Sequence, residues 1–244
     1  MNICQMEKGK LLLIPVPLGE GEIENSLVPG LKAAIADMDE FIVENEKTAR
    51  RFLKKMGIRT PLNDLRLHVY GKHSEHAAID DYLKPVLQGK NIGLLSEAGC
   101  PAVADPGALI VRRAHEKGIR VIPWTGPNSL LLALMASGFN GQQFAFQGYL
   151  PINAAERTRK IRDLEKISRS LDQTQLFIET PFRNMQLLDD LLKTCHPDTG
   201  ISISCDLTTA SEYVATRSVA EWKKQPAPNL HKRPAVFLLY ARGS

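Results

Sequence analysis

The chain has 244 residues, long for one compact domain and comfortable for two. With 43% hydrophobic and 24% charged residues it is composed like an ordinary globular protein, which excludes a disordered or low-complexity chain. A net charge of +4 tolerates a polyanionic partner without demanding one.

Short apolar runs alternate with segments of helical period. Residues 10–15 (KLLLIP) predict a buried strand. Residues 28–38 predict a helix with Val28, Leu31, Ala34, Ile35 and Met38 on one face. Residues 40–43 predict a second strand, and 46–56 a helix closed by Gly57. A strand is expected over 65–70. A helix capped by Ser74 should run to Gln88, with Gly89 after its end and a kink at Pro85. Residues 91–95 form a further buried strand, and a loop rich in glycine and proline follows over 96–107. A helix over 108–117 stops at Gly118 and leads to a short strand over 120–122. Such alternation implies crossover connections and a mainly parallel sheet.

Residues 123–127 (PWTGP) read as a linker that divides 1–123 from 124–244. Helices are expected beyond it over 128–137, 154–168 and 183–194, and strands over 144–149, 175–179, 201–205, 212–216 and 235–241. Strands in near succession make the second sheet mixed. No run of roughly 18 apolar residues exists, so no membrane span is expected. Residues 1–10 lack a signal-peptide core, and the cysteines at 4, 100, 195 and 205 form no C-x-x-C pair. Free thiols without a signal fit the cytoplasm.

Four segments invite chemistry. Pro15-Val16-Pro17-Leu18-Gly19-Glu20-Gly21 follows the first strand, where open α/β sheets bind ligands. It lacks the third glycine of a Rossmann turn, and a plain turn fits it as well as a binding loop. The 96–107 loop is long, and its Gly99, Pro101, Pro106 and Gly107 fix its shape. It reads equally as a ligand loop and as a surface loop turned by Asp105. Asn128 or Ser129 caps the helix after the linker. Glu179 and Arg183 flank a strand end, as an ion pair or as ligand contacts. His68, His73 and His76 lack carboxylates at ligand spacing, so no metal is expected. His73 stays a candidate acid–base group. The 154–170 helix carries Arg157, Arg159, Lys160, Arg162, Lys166 and Arg169 among Glu156, Asp163 and Glu165, either a solvated face or a phosphate-binding strip.

Taken in order, the segments resemble the tetrapyrrole methylase superfamily and, within it, the ribosomal RNA small-subunit methyltransferase I family. That family's V-P-T-P-I-G-N-L is met by Ile14-Pro15-Val16-Pro17-Leu18-Gly19-Glu20-Gly21. Its S-D-A-G-T-P-x-x-S-D-P-G is met by residues 96–107, with Glu97, Cys100 and Ala104 as the departures. Residues 123–138, 144–151 and 177–183 match its P-x-P-G-P-S, F-x-F-x-G-F-L-P and F-Y-E-S-P-H-R motifs, and Asp206-Leu207-Thr208-Thr209 stands for E-L-T-K. Its E-D-T-R becomes Glu44-Asn45-Glu46-Lys47, and its Y-H-E-H-N-E becomes Tyr70-Gly71-Lys72-His73-Ser74-Glu75.

The resemblance implies an α/β protein of two domains, the first sheet mainly parallel and the second mixed, with a cleft between them. It implies S-adenosylmethionine as cofactor, a homodimer, and RNA or the small ribosomal subunit as partner, methylated on a ribose 2′-hydroxyl. By the same resemblance Leu18, Gly19, Ser96, Glu97, Ala98, Gly99, Val103, Ala104, Asp105, Gly126, Pro127, Ser129, Leu130 and Glu179 bind the cofactor. Glu44, Lys47, His73 and Arg183 face the acceptor. A tetrapyrrole or other small acceptor, a nucleotide-dependent enzyme and a non-catalytic RNA-binding relic are the other readings.

Overall fold

The computed structural model describes residues 7–21, 23–71 and 76–242. Its packing divides the chain into two units, Met1–Asn128 and Ser129–Ser244. This division and the boundary expected at 123/124 differ by residues 124–128. There the Trp124 N–H donates to Leu13 O at 3.0 Å, and Gly126 lies against Pro15.

In the first unit β1 (Lys10–Ile14), β2 (Glu40–Val43), β3 (Arg66–Val69), β4 (Ile92–Leu95) and β5 (Arg120–Pro123) form one sheet, ordered β3-β2-β4-β1-β5. Every pairing is parallel. The crossovers run through α1 (Pro29–Ile35), α2 (Glu46–Met56), α3 (His76–Leu87) and α4 (Ala108–Glu116). Successive side chains of a strand point to opposite faces. Leu12, Ile14, Phe41 and Val43 therefore pack with Leu31, Ile35, Phe52 and Leu53 of α1 and α2. Leu11, Ile42, Ile92 and Leu94 pack on the other face with Leu83, Ile110 and Ala114 of α3 and α4. Both faces are covered, as a parallel sheet requires. Gly93 sits where a Cβ would lie 2.5 Å from the Phe41 ring, so only glycine fits there.

The second unit holds α5 (Ser129–Ser137), β6 (Phe144–Tyr149), α6 (Ala154–Leu171), β7 (Thr174–Ile178), α7 (Asn184–Thr194), β8 (Gly200–Cys205), β9 (Tyr213–Ser218), α8 (Val219–Trp222) and β10 (Ala235–Tyr240). Its sheet runs β6-β7-β10-β8-β9. The β6–β7 pairing is parallel and the others antiparallel, so the sheet is mixed as expected.

The deviations from expectation have physical reasons. Val28 is the N-cap of α1, Pro29 opens the helix, and Val28 and Ala34 are exposed, so the buried face is narrower than expected. β9 starts at Tyr213 and extends to Ser218, because the β8 ladder runs from Cys205↔Tyr213 to Gly200↔Ser218. The unexpected α8 is opened by a capping box between Ser218 and Glu221. The expected cap Ser74 lies outside the described residues. Among the described residues no helix is long and apolar enough to cross a membrane.

Candidate functional site

The carboxyl ends of β4, β1 and β5, three adjacent strands, carry three loops that are knitted together. Val16 and Gly99 form a two-way bridge: Val16 N donates to Gly99 O at 2.9 Å, and Gly99 N to Val16 O at 2.8 Å. The Ser96 hydroxyl reaches the carbonyls of Ala98 and Gly99, each at 3.2 Å. Cys100 Sγ donates to Gly126 O at 3.7 Å and Pro127 O at 3.4 Å. A Cβ on Gly126 would lie 2.3 Å from Pro15, so only glycine permits this approach. Leu18, Gly19, Ser96, Glu97, Ala98, Gly99, Gly126 and Pro127 are thereby brought to one sheet edge.

Asp105 organises the rest of the β4 loop. Its Oδ1 accepts from Ala102 N at 2.9 Å and Gly107 N at 2.7 Å, and its Oδ2 from Ala102 N at 3.0 Å. The loop places two non-glycine residues, Ala102 (φ 68°) and Ala104 (φ 63°), in the left-handed region, which costs each of them energy. Such strain persists only where the surroundings enforce it, and it clusters at ligand sites. Val103 and Ala104 between these anchors are exposed.

Glu44 stands directly after β2, and its Oε1 accepts from Glu97 N at 3.1 Å. Burial pushes its carboxyl up, with help from the charges of Asp105 and Glu97, while the Glu97 N–H pulls it down. Burial also raises Asp105, against its two backbone donors. Tyr70, directly after β3, is 3% exposed, and its hydroxyl has no hydrogen-bond partner among the described residues. That hydroxyl lies 3.0 Å from where a Cβ of Gly107 would stand, at the Asp105 turn. Burial and the nearby carboxylates hold its proton on firmly. Sequence reasoning did not single out Tyr70, whose buried hydroxyl stands beside the Asp105 turn. The signal available was its survival in an otherwise altered segment.

Asn45 caps α2, accepting from Lys47 N at 2.9 Å and Thr48 N at 3.3 Å. Asn and Asp cap equally well, so the change from the family's Asp keeps the helix start. Lys47 is exposed in the first turn. Beside it, a cavity of about 230 Å³ opens between the β1 loop and α2. Leu18, Gly19, Glu97 and Ala98 line it, and so do Thr48 and Arg51, which sequence reasoning did not single out.

Ser129, Leu130, Glu179 and Arg183 belong to the second unit. Arg183 holds the buried Glu179 at 2.6 Å, and Glu179 Oε1 also accepts from Thr180 N, so the pair is at least structural. His73 lies outside the described residues. His68 is occupied with Glu40 at 2.8 Å. Among the described residues no group of three or more His, Cys, Asp or Glu could hold a metal ion.

Residues 11–222 match the sequence profile of the Tetrapyrrole (Corrin/Porphyrin) Methylases. Two relatives named ribosomal RNA small subunit methyltransferase I illustrate the similarity. The one from Leptospira biflexa is 32% identical over 97% of this chain and 92% of its own length. The one from Vibrio cholerae is 28% identical over 96% and 77%. Among solved structures, diphthine synthase superposes with a TM-score of 0.65 at 14% identity, covering 96% of this chain and 90% of its own. The methyltransferase CobJ gives 0.62 at 19% identity, covering 96% and 94%. With its knitted loops at the carboxyl edge of a parallel sheet, the chain belongs to the tetrapyrrole (corrin/porphyrin) methylase family and is an S-adenosylmethionine-dependent methyltransferase.

Proposed function

We propose that the chain methylates a ribose hydroxyl of small-subunit ribosomal RNA. The observation that carries this reading is Glu44. It is a half-buried carboxylate with a raised pKa, oriented by the Glu97 N–H at the sheet edge. A hydroxyl acceptor needs help losing its proton, and a carboxylate whose pKa is moved toward neutrality is suited to take it. The relatives named for ribosomal RNA, matched over nearly the whole chain, support the choice of RNA.

The residues present fit the cofactor. Gly99, Ala102 and Ala104 have positive φ, and Asp105 fixes the turn that leaves Val103 and Ala104 exposed, so the loop can meet a ligand without a further ordering cost. Leu18 and Val16 add apolar surface. S-adenosylmethionine, when bound, supplies an already activated methyl group. Leu18, Gly19, Ser96, Glu97, Ala98, Gly99, Val103, Ala104, Asp105, Gly126, Pro127, Ser129, Leu130 and Glu179 hold it in this reading. The chain's own residues position the acceptor and exclude water. Glu44 accepts the hydroxyl proton, Tyr70 offers a hydrogen bond from a hydroxyl that has no partner among the described residues, and Lys47, His73 and Arg183 contact the acceptor.

The test is calorimetric titration with S-adenosylmethionine and S-adenosylhomocysteine. Transfer of labelled methyl groups to small-subunit RNA, naked and assembled, then follows. Saturable binding and label in linkages that resist alkali are expected, because a 2′-O-methyl group blocks alkaline cleavage. Cofactor binding without label in RNA would move the acceptor to a small molecule. Lys47→Ala and His73→Ala should lower turnover more than cofactor affinity.

A homodimer and a cytoplasmic location belong to the same reading. Leu131 and Met135, one turn apart on α5, are 50% and 79% exposed, an apolar face of the kind partners cover. Met135→Glu should convert a dimer to a monomer in light scattering. A monomer before substitution would end the dimer proposal.

A further inference from the structure

α2 carries Lys47, Arg50, Arg51, Lys54 and Lys55 against a single acid, Glu46. Glu46 is engaged by Arg50 Nη2 at 3.4 Å, and Arg50 Nη1 donates to Leu62 O. Arg51 and Lys55 have no ion-pair or hydrogen-bond partner among the described residues. With Thr48 they stand at i, i+3 and i+7, one face of the helix, and that face is one wall of the 230 Å³ cavity. The opposite wall is the β1 loop and the start of the β4 loop, where Glu20 and Glu97 stand. Glu97 is the residue whose N–H orients Glu44, so the cavity adjoins the proposed base.

The cations of α6 differ. Arg157 is buried on Asp190, and Glu165 is turned inward onto Thr199 and the His196 N–H. The exposed Arg159, Arg162, Lys166 and Arg169 share their surface with Glu156 and Asp163.

We propose that the α2 wall seats a phosphodiester of the RNA strand that bears the acceptor. Arg51 and Lys55 contact the phosphate, and Thr48 donates its hydroxyl. Glu20 accepts from a ribose hydroxyl on the other wall. A cationic wall facing a carboxylate wall matches a ribonucleotide, which presents an anion and hydroxyl donors a few bonds apart. This rests on the RNA reading above and makes Arg51 and Lys55 substrate-positioning residues.

The test compares Arg51→Gln/Lys55→Gln with Arg162→Gln/Lys166→Gln on α6, which removes the same charge elsewhere. The probe is a labelled single-stranded RNA titrated at graded KCl. Each phosphate neutralised contributes about 0.7 to the slope of log K against log salt, so loss of the one phosphate held by the α2 pair should lower it by about 0.7. KM for RNA should rise about tenfold, with kcat within twofold and S-adenosylhomocysteine affinity unchanged. The α6 pair should leave slope and KM as they were. DNA of the same sequence should bind the unsubstituted chain more weakly. Equal slopes for the two pairs, or a larger loss from α6, would overturn the seat, and parity between DNA and RNA would overturn its ribose wall. An unsubstituted chain that binds S-adenosylhomocysteine but no RNA would remove the RNA reading itself, and the seat with it.

Discussion

Asp105→Ala tests whether the β4 loop is a preorganised cofactor cradle. Ala102 and Ala104 are left-handed, at about 1–2 kcal/mol each, so the loop holds about 2–4 kcal/mol of strain. Against it stand the Asp105 carboxylate's bonds from Ala102 N and Gly107 N, each worth about 1.5–3 kcal/mol for a charged acceptor. Together these bonds, about 3–6 kcal/mol, outweigh the strain while the carboxylate is present. Without it the strain stands alone, and the loop leaves the observed conformation in all but about one molecule in thirty, or fewer. Apparent cofactor affinity falls by the same fraction, so Kd for S-adenosylhomocysteine should rise about thirtyfold or more by calorimetry. Asp105→Asn keeps one oxygen in place for both donors and should cost less than about tenfold. Adding Ala102→Gly and Ala104→Gly to Asp105→Ala removes the Cβ strain and should restore part of the loss. A Kd within threefold of the parent for Asp105→Ala, or no recovery with the glycines, would refute the argument.

Gly126→Ala forces a methyl group onto Pro15 and should lower stability by about 1–3 kcal/mol in urea unfolding, with weakened cofactor binding. An unchanged midpoint would mean that the two loops are not in contact. Because the Glu44 carboxyl is raised, methyl transfer should climb as pH passes its raised pKa, and Glu44→Gln should flatten that acid limb. The same shift means that the folded chain holds this proton longer than the unfolded one. Stability therefore falls as pH rises from the ordinary glutamate range to the raised value, and Glu44→Gln removes that slope in pH-dependent unfolding. Arg157→Met leaves Asp190 and the carbonyls of Pro151 and Ile152 without their donor and should destabilise the second unit by about 3 kcal/mol; Asp190→Asn added to it should recover part.

Much of the architecture can be read from periodicity. Leu11 to Ile14 alternates between two covered faces, and the amphipathic stretch between Asn45 and Gly57 ends on a glycine at φ 73°. The three loops proposed to bind the cofactor stand out by their glycines and prolines. What the sequence hides is the identity of residues that break local rules. Alanine does not announce a left-handed backbone, so Ala102 and Ala104 look like filler until the Asp105 carboxylate is seen to hold them. Tyr70 reads as an ordinary aromatic, because only tertiary packing buries its hydroxyl without a described partner. On α6, counting charges overstates both signs, since Arg157 and Glu165 are used inside the fold.

In the proposed reading, the Glu44–Lys47 segment changes acceptor contacts while the methyl-transfer frame is kept. Asn45 supplies the same cap to Lys47 N and Thr48 N that an aspartate would, so the start of α2 is kept and with it the position of Glu44. The loops proposed to hold the cofactor are joined to one another through backbone groups, Ser96, Cys100 and Asp105, none of which depends on the α2 surface. Lysine for arginine at 47 exchanges a planar fork for a point charge, which loosens geometric selection of a bidentate anion while keeping its attraction. In the proposed seat Arg51 and Lys55, one and two turns further along, carry the burden of placing the strand. If that is so, Lys47→Arg should change selectivity among RNA targets more than overall affinity, whereas Arg51→Gln/Lys55→Gln should weaken all of them alike.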